Sequence, residues 1–238
     1  MNIEGLNIGT IQPSVKDALI IKRDRIARSK IVEKAEEVVS RGIDIVGALC
    51  GITILLPIVI GVWIANIITK NSGPIFYNTE RIGKDGKTFK MYKFRSMVVG
   101  ADEILKEYLA NNPEARKEYK KYKKLKNDPR ITKVGEFIRK TSLDEFPQFI
   151  NVLKGDMSLV GPRPYMPKEK DDMGIYYSYI VKVKPGVTGF WQITGRSDVT
   201  FEDRLNMDYN YVKVQNLKLD IKLLLKTMVK VVKKEGAI

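Results

Sequence analysis

The sequence contains no histidine and a single cysteine, Cys50. The lack of histidine excludes serine–histidine catalytic triads and histidine-ligated zinc sites, so any catalysis must rest on Asp, Glu, Lys, Arg, Ser or Tyr. One cysteine allows no internal disulfide, which favours a reducing, cytoplasmic setting. The sequence also lacks a G-x-x-x-x-G-K-[ST] loop and a strand-linked G-x-G-x-x-G motif. An ATPase or a dinucleotide-binding enzyme therefore has little support.

Acidic residues are scarce relative to basic ones. The 238-residue chain has 42 Lys and Arg against 28 Asp and Glu, a formal net charge of +14. This excess favours an acidic partner, which could be nucleic acid, an anionic membrane surface or a phosphorylated small molecule. Charge alone does not decide among these. The length suits one catalytic unit, since single domains commonly hold on the order of 100 to 200 residues.

The apolar residues are concentrated between Ile45 and Ile68, in a run that contains Pro57 near its middle. As a straight helix this run would measure about 36 Å, enough to cross the hydrocarbon core, so a single spanning helix is one interpretation. Basic residues flank both ends, however, which favours the cytoplasmic side for both. A proline inside a helix kinks it. We therefore favour a re-entrant helix that enters and leaves one leaflet. Gly47 and Gly51 form a small-xxx-small pair, which would let another helix approach closely or would only ease packing.

The sequence after the apolar run predicts a mixture of short strands and helices. Extended segments are expected within 74–97, separated by a glycine turn at 83–86. Helices are predicted at 101–110, 114–126 and 217–232. In the last of these, lysines recur every four residues against Leu, Ile and Val. That pattern is typical of a helix on an anionic membrane surface and nearly as much of a packed amphipathic helix, and both interpretations stay open.

Two adjacent carboxylates, Asp144 and Glu145, follow the cations Arg139 and Lys140. In a purely structural interpretation, Ser142 and Glu145 have the spacing of a capping box that starts a helix. In a functional interpretation, the carboxylates bind a divalent metal and leave one oxygen free to attack phosphorus. We expect the neighbouring cations to lower the pKa of Asp144 and keep it ionised. The two interpretations are compatible, because a capped carboxylate is also preorganised.

Further cations lie in segments suited to phosphate binding. Lys93 and Arg95 flank an aromatic residue after a predicted strand, and Arg163 stands between two prolines. The prolines stiffen the loop, so it presents the guanidinium group at low entropic cost. The aromatic pair at 190–191 could stack on a base, although such residues are more often part of the core. Arg196 follows a further glycine.

Taken together and in this order, these motifs resemble the bacterial sugar transferase family, the monotopic polyprenyl-phosphate phosphoglycosyl transferases. The charged insert at 101–130 is similar to the longer hexose-1-phosphate members, particularly the undecaprenyl-phosphate galactose phosphotransferases. The resemblance covers almost everything from Arg41 onward, and the segments that carry it are 94–97, 139–148, 155–164, 185–189 and 219–221.

The resemblance implies transfer of hexose-1-phosphate from a UDP-sugar, galactose or glucose, to undecaprenyl phosphate with release of UMP. It implies a ping-pong reaction in which Asp144 is the nucleophile and Glu145 the second carboxylate, with Mg²⁺ held by both. The phosphate- and substrate-binding side chains would be Lys93, Arg95, Arg139, Arg163, Arg196 and Asp208.

The expected fold class is α+β, a mostly helical membrane-associated catalytic domain with short strands and an N-terminal re-entrant membrane hairpin. The predicted organisation is a basic segment at 1–40 without a secretory signal, the re-entrant helix at 41–70, and a cytoplasmic catalytic domain at 71–238 with amphipathic interfacial helices. The protein would be monotopic on the cytoplasmic face of the inner membrane.

The expected partners are a UDP-sugar, undecaprenyl phosphate and membrane lipid, with no nucleic acid, and a homodimer is a further expectation. Two alternatives remain: the same chemistry with an N-acetylhexosamine donor, and a non-catalytic basic binding protein tethered to the membrane. Release of UMP separates the enzyme from the binding protein.

Overall fold

The longest element is helix α1, which runs from Lys30 to Ile68 without interruption through Pro57. It belongs to a computed structural model that describes residues 30–70, 73–194 and 199–233. Within the described residues, α1 is the one helix that is long and apolar enough to cross a membrane. The expected long apolar helix near the N-terminus is thereby confirmed. Arg196 lies outside the described residues.

An antiparallel hairpin follows α1. Strand β1 (Phe76–Ile82) pairs with β2 (Thr88–Phe94), so that the first residue of β1 lies opposite the last residue of β2. The turn between them includes a short 3-10 segment, in which Asp85 and Gly86 adopt positive φ angles of 58° and 77°. Asp and Gly tolerate this left-handed region better than most residues. The predicted extended segments around a turn at 83–86 are confirmed.

The remainder of the described chain is mostly helical, with a second, parallel pair of short strands, β3 (Ser158–Val160) and β4 (Gly186–Thr188). The predicted helices at 101–110 and 217–232 are confirmed. The helix predicted at 114–126 ends earlier, at Tyr122, because Lys123 adopts a left-handed conformation (φ 53°) that terminates it. The helices are α2 (Ala101–Asn111), α3 (Pro113–Tyr122), α4 (Lys133–Lys140), α5 (Gln148–Lys154), α6 (Lys170–Met173), α7 (Tyr177–Ile180), α8 (Phe190–Thr194), α9 (Phe201–Val214) and α10 (Leu217–Lys233).

One face of α1 is buried against the rest of the protein. Its buried residues recur at helical spacing on a single face and are Asp44, Ala48, Gly51, Leu55, Val62 and Asn66. A Cβ atom at Gly51 would lie only 2.4 Å from the ring of Phe149 in α5, and one at Gly47 only 2.6 Å from Leu159 in β3. Gly51 therefore allows the close approach of a helix that the spacing predicted, whereas the element that approaches Gly47 is a strand.

Polar contacts fasten α1 at the start of its apolar run. The Asp44 carboxylate accepts hydrogen bonds from Ser158 Oγ (2.9 Å) and from the backbone N–H of Leu159 (2.8 Å). The Arg41 guanidinium donates to the carbonyls of Val152 (2.7 Å) and Leu153 (2.8 Å) in the last turn of α5. The carbonyl of Val152 also accepts from the backbone N–H of Gly155 (3.0 Å), so the arginine adds to the cap of this helix end. Helix α1 is thus held by hydrogen bonds as well as by packing.

Two apolar clusters build most of the core around the site. The first joins α1 to β2, α5 and α10 through Ala48, Met91, Val152 and Leu223. The second joins the end of β1 to α6, α7 and α9, and its members include Ile82, Met173, Ile180, Leu205 and Tyr209. Met91 of the first cluster also lines the cleft described next.

Candidate active site

A polar cleft lies between the hairpin, the loop after β3, strand β4 and helix α8. It encloses ≈ 290 Å³ of space, part of which is open to solvent. The charged and amide side chains that line it are Arg81, Lys93, Glu145, Gln148, Arg163 and Gln192, together with the aromatic side chain of Trp191. Such a lining suits an anionic ligand.

The two predicted carboxylates lie in a 3-10 turn, Leu143–Glu145, between α4 and α5. Ser142, which precedes the turn, has a φ of 57° and makes no capping hydrogen bond with its side chain. The capping-box interpretation is therefore wrong, because a capping residue is normally extended. Instead, the Glu145 carboxylate accepts a hydrogen bond from Lys93 Nζ at 2.9 Å. This ion pair fixes the turn against β2.

Asp144 is half-buried beside this ion pair, and burial raises the pKa of its carboxyl group to about 6. The positive charges of Lys93 and Arg139 oppose the increase, and the negative charge of Glu145 adds to it. The expectation of a lowered pKa is therefore wrong: the cations act in the expected direction, but loss of solvation outweighs their attraction. A carboxyl group with this pKa is still largely ionised at neutral pH and is more basic than an ordinary aspartate.

Asp208 holds the loop that carries Arg163 through hydrogen bonds. One carboxylate oxygen of Asp208 accepts hydrogen bonds from the backbone N–H of Arg163 (3.0 Å) and from the hydroxyl of Tyr165 (2.7 Å). Asp208 is fully buried, and burial raises its pKa to about 7. The resemblance placed it among the substrate-binding residues. In the structure it lies beneath the cleft and positions the loop.

Some of the predicted cations lie at the cleft or near Asp144, and Arg95 makes its described contacts elsewhere. Lys93 and Arg163 line the cleft, and the charge of Arg139 acts on Asp144. Arg95 instead donates from Nε to the carbonyl of Pro74 (2.9 Å), with its guanidinium 5.4 Å from the ring centre of Tyr77. The described contacts therefore give Arg95 a structural role beside the hairpin.

Sequence reasoning missed Arg81, which is buried at the end of β1 and lines the cleft. It donates a hydrogen bond to the carbonyl of Pro164 (3.1 Å), and burial together with the nearby charge of Arg163 lowers its pKa to about 10. Its sequence signal is a cation at the end of a strand, which many surface residues share. Its partners are remote in sequence, so only the fold reveals the cluster.

The aromatic pair at 190–191 divides between the core and the cleft. Phe190 is buried in the first apolar cluster. Trp191 lines the cleft, and its ring centre lies 5.5 Å from the guanidinium carbon of Arg163 and 5.7 Å from that of Arg204. Arg204 is another buried cation that the sequence did not single out. The cleft wall thus combines an aromatic surface with positive charge.

The adjacent carboxylates of Asp144 and Glu145 are the predicted ligands of a divalent cation. No group of three or more His, Cys, Asp or Glu side chains is arranged to hold a metal within residues 30–70, 73–194 and 199–233. Magnesium is commonly bound by one or two carboxylates, with substrate phosphates and water completing its shell. In that manner the two carboxylates could supply the protein ligands of a magnesium ion, and Glu145 is also paired with Lys93 Nζ at 2.9 Å.

Residues 35–234 of the chain match the family described as Bacterial sugar transferase. The chain belongs to the bacterial sugar transferase family. This member is 47% identical over 210 residues to the undecaprenyl-phosphate galactose phosphotransferase of Salmonella typhimurium, an alignment that covers 88% of this chain and 44% of the relative.

The chain covers different shares of two further relatives. It is 37% identical over 199 residues to the UDP-glucose:undecaprenyl-phosphate glucose-1-phosphate transferase of Escherichia coli, covering 80% of this chain and 39% of the relative. It is 39% identical over 191 residues to the exopolysaccharide production protein ExoY of Rhizobium meliloti, covering 79% of this chain and 83% of the relative. The chain therefore spans less than half of the two phosphotransferases and most of ExoY.

Proposed function

We propose that this chain transfers hexose-1-phosphate from UDP-galactose or UDP-glucose to undecaprenyl phosphate and releases UMP. Family membership and the names of the relatives support this reaction class. The observation that carries the proposal is the Asp144–Glu145 turn. Its Glu145 is paired with Lys93 and lines the cleft together with Arg81 and Arg163. This arrangement puts a basic carboxylate next to cations suited to a diphosphate.

In the first step, a carboxylate oxygen of Asp144 attacks the phosphorus that bears the sugar. A new oxygen–phosphorus bond forms while the bond from that phosphorus to the oxygen shared with UMP breaks. UMP departs with that oxygen, and the sugar phosphate remains on Asp144 as an acyl phosphate. The raised pKa of about 6 favours this role, because the carboxylate is ionised at neutral pH and more basic than usual.

In the second step, a phosphate oxygen of undecaprenyl phosphate attacks the same phosphorus. The bond from phosphorus to Asp144 breaks, which restores the carboxylate and leaves the sugar linked to the lipid through a diphosphate. No net proton is gained or lost on the enzyme. The two steps together are a ping-pong reaction, in which UMP leaves before the lipid reacts.

Cations around the cleft would stabilise the charge that develops on the transferred phosphoryl group. Charge stabilisation and positioning are the main demands of phosphoryl transfer. The guanidinium groups of Arg81 and Arg163 suit the diphosphate oxygens, and Lys93 and Arg139 lie near Asp144. When bound by the two carboxylates together with the diphosphate, Mg²⁺ would supply further positive charge there.

The outward face of α1 supports a place in the membrane. It is apolar and exposed, up to 74% exposure at Ile68, and its other members include Val46, Leu49, Leu56, Ile60, Trp63 and Ile67. Soluble monomers rarely expose so continuous an apolar surface, and lipid is the partner that fits a single long helix of this kind.

The inward face of α1 favours a monotopic arrangement on the cytoplasmic side. Residues on both sides of Pro57, such as Leu55 and Val62, are buried against the same catalytic body. A helix upright in the bilayer would carry that body through the hydrocarbon. Near the start of α1, Glu37 lies 3.9 Å from Lys84 in the hairpin turn. We therefore propose that α1 is re-entrant and dips into one leaflet. Cysteines placed at positions 34 and 84 should label from the same side, and labelling from opposite sides would establish a spanning helix.

Release of UMP tests the reaction directly. Purified full-length protein is supplied with Mg²⁺, undecaprenyl phosphate and a panel of UDP-sugars that includes UDP-N-acetylhexosamines. We expect UMP from UDP-galactose or UDP-glucose, and no turnover by Asp144→Asn. The matched control, Asp85→Asn in the exposed hairpin turn, should retain activity. If no donor yields UMP, the non-catalytic binding protein is the better description. If only the N-acetylated donors yield UMP, the sugar donor is a UDP-N-acetylhexosamine and not UDP-galactose or UDP-glucose.

A further inference from the structure

Arg204 of α9 is a buried cation to which the proposed reaction gives no part. It is 6% exposed. Within the described residues, the hydrogen-bond partner of its guanidinium is the carbonyl of Tyr122, and its Nε has none. Burial lowers the pKa of Arg204, and the positive charge of Arg163 adds to that effect. Because a buried charge is costly unless something compensates it, the contacts of Arg204 call for an explanation.

The carbonyl that accepts from Arg204 lies at a helix end in the charged insert at 101–130. Tyr122 is the last residue of α3, and Lys123 ends the helix in a left-handed conformation. The last carbonyls of a helix have no partner within it and carry the negative end of the helix dipole. The hydrogen bond from Arg204 therefore satisfies one of these carbonyls, and the helix end in turn stabilises the buried charge.

Further contacts fix the same helix end against the rest of the protein. Lys123 Nζ donates to the carboxylate of Asp172 in α6 at 2.7 Å and lies 5.5 Å from the ring centre of Phe201, the first residue of α9. Leu125, two residues later, is 6% exposed in an apolar cluster with residues of α2 and α3. The insert is thus a small packed unit whose end is docked beside the start of α9.

Arg204 also contacts the wall of the cleft. Its guanidinium carbon lies 5.7 Å from the ring centre of Trp191, and that of Arg163 lies 5.5 Å from the same ring centre. Both Trp191 and Arg163 line the cleft. A guanidinium near an aromatic ring is attracted to it, so Arg204 helps to fix the indole. The charge of Arg204 also acts on Asp208, which positions the Arg163 loop.

We infer that Arg204 is a positioning residue of the donor site, through which the charged insert holds Trp191 and adds positive charge for the diphosphate of the UDP-sugar. The inference rests on the function proposed above and gives the insert a part in it. Arg204 acts through Trp191 and through its charge, without touching the substrate. Loss of the charge should therefore weaken binding of a nucleoside diphosphate, and a loosened insert should weaken it by releasing Arg204.

Binding of UDP to the full-length protein tests this inference without turnover. The chain has two tryptophans, so in a Trp63→Phe background the fluorescence of Trp191 reports on the cleft alone. UDP is titrated in detergent with Mg²⁺. We expect Arg204→Gln, which keeps a donor for the Tyr122 carbonyl, to raise the Kd for UDP about tenfold. Arg204→Lys keeps the charge and should raise it less. Uridine, which has no phosphate, should lose less affinity than UDP in Arg204→Gln.

A matched control and a second perturbation separate the charge from the insert. Lys213→Gln removes another cation of α9, one that lies 5.3 Å from the ring centre of Tyr209, and it should leave the Kd for UDP unchanged. Leu125→Ala loosens the insert away from the cleft. It should raise the Kd for UDP by itself, but should add nothing when combined with Arg204→Gln, because the insert would act through that arginine.

Each contrary result points to one cause. An unchanged Kd for UDP in Arg204→Gln, or an equal increase in Lys213→Gln, would overturn the inference, and UMP release by the wild type would show that the proposed function survives it. Equal losses for UDP and uridine would show a merely structural role and overturn it as well. Additive effects of Leu125→Ala and Arg204→Gln would refute the part assigned to the insert.

The remaining outcomes concern folding and the function itself. If circular dichroism shows that Arg204→Gln does not fold, Arg204→Lys and Leu125→Ala decide, and wild-type affinity for UDP in both would overturn the inference. A wild type that neither binds UDP nor releases UMP would refute the proposed function itself.

Discussion

Asp144→Asn should stabilise the folded protein at neutral pH while it abolishes turnover. The physical reason is that burial disfavours the charged form of this carboxyl group, which raises its pKa from an ordinary 3.8 to about 6. The folded protein therefore holds this proton more tightly than the unfolded chain does. As the pH rises from 3.8 to 6, the free energy of unfolding of the wild type falls, and above pH 6 the full penalty is present. Asparagine carries no charge and avoids that penalty.

The size of the effect follows from the shift in pKa. A difference of about two pKa units, at 1.36 kcal/mol each, corresponds to about 3 kcal/mol as an upper limit. For a protein of this length, 1 kcal/mol shifts the melting temperature by about 2 to 4 °C. The variant should therefore melt higher than the wild type at pH 8, by up to ~6 to 12 °C, and at nearly the same temperature at pH 4.

Thermal unfolding in detergent, followed from pH 4 to pH 8, measures this difference. A chelator keeps divalent cations from neutralising the carboxylates of the wild type. The control is Asp85→Asn, at an exposed position in the hairpin turn where asparagine tolerates the positive φ. It should follow the wild type at every pH. A destabilised Asp144→Asn, or a difference that does not change with pH, would refute the reasoning about burial.

As the pH is lowered below 6, kcat/KM should fall about tenfold per pH unit, because the nucleophile must be ionised, and above pH 7 it should be constant. A flat profile from pH 4.5 to 8 would contradict Asp144 as the titrating group. Gly51→Ala should lower the free energy of unfolding by about 1 to 3 kcal/mol, measured by thermal unfolding, because its Cβ would overlap an aromatic ring. The control Gly61→Ala, with nothing within 4 Å of the added Cβ, should be neutral or stabilising. Equal effects of the two substitutions would be evidence against the tight docking of α1. Asp208→Ala leaves two buried donors unpaired, which should cost about 1 to 3 kcal/mol of stability each and raise KM for the UDP-sugar by loosening the Arg163 loop. Asp208→Asn keeps an acceptor, so both effects should be smaller. An unchanged KM in both variants would contradict the positioning role.

Local patterns predicted the elements with strong periodicity or turn chemistry. The hairpin turn at 83–86 and the last helix are examples, because glycine positions and lysine spacing are properties of adjacent residues. The predictions that failed concern properties that depend on tertiary structure. The pKa of Asp144 is set by burial, and Ser142 is left-handed because of the turn that it joins. Arg81 joins the cleft through a partner far away in the sequence, so no local pattern could identify it.

Mapping of the covalent sugar phosphate is the most direct test of the central claim. The full-length protein is incubated with UDP-galactose or UDP-glucose and Mg²⁺ in the absence of undecaprenyl phosphate, digested, and analysed by mass spectrometry. The account predicts a hexose-phosphate adduct on the peptide that contains Asp144, formed together with UMP and lost when the lipid acceptor is added. Turnover with acceptor but without any adduct, or an adduct on a different residue, would contradict it.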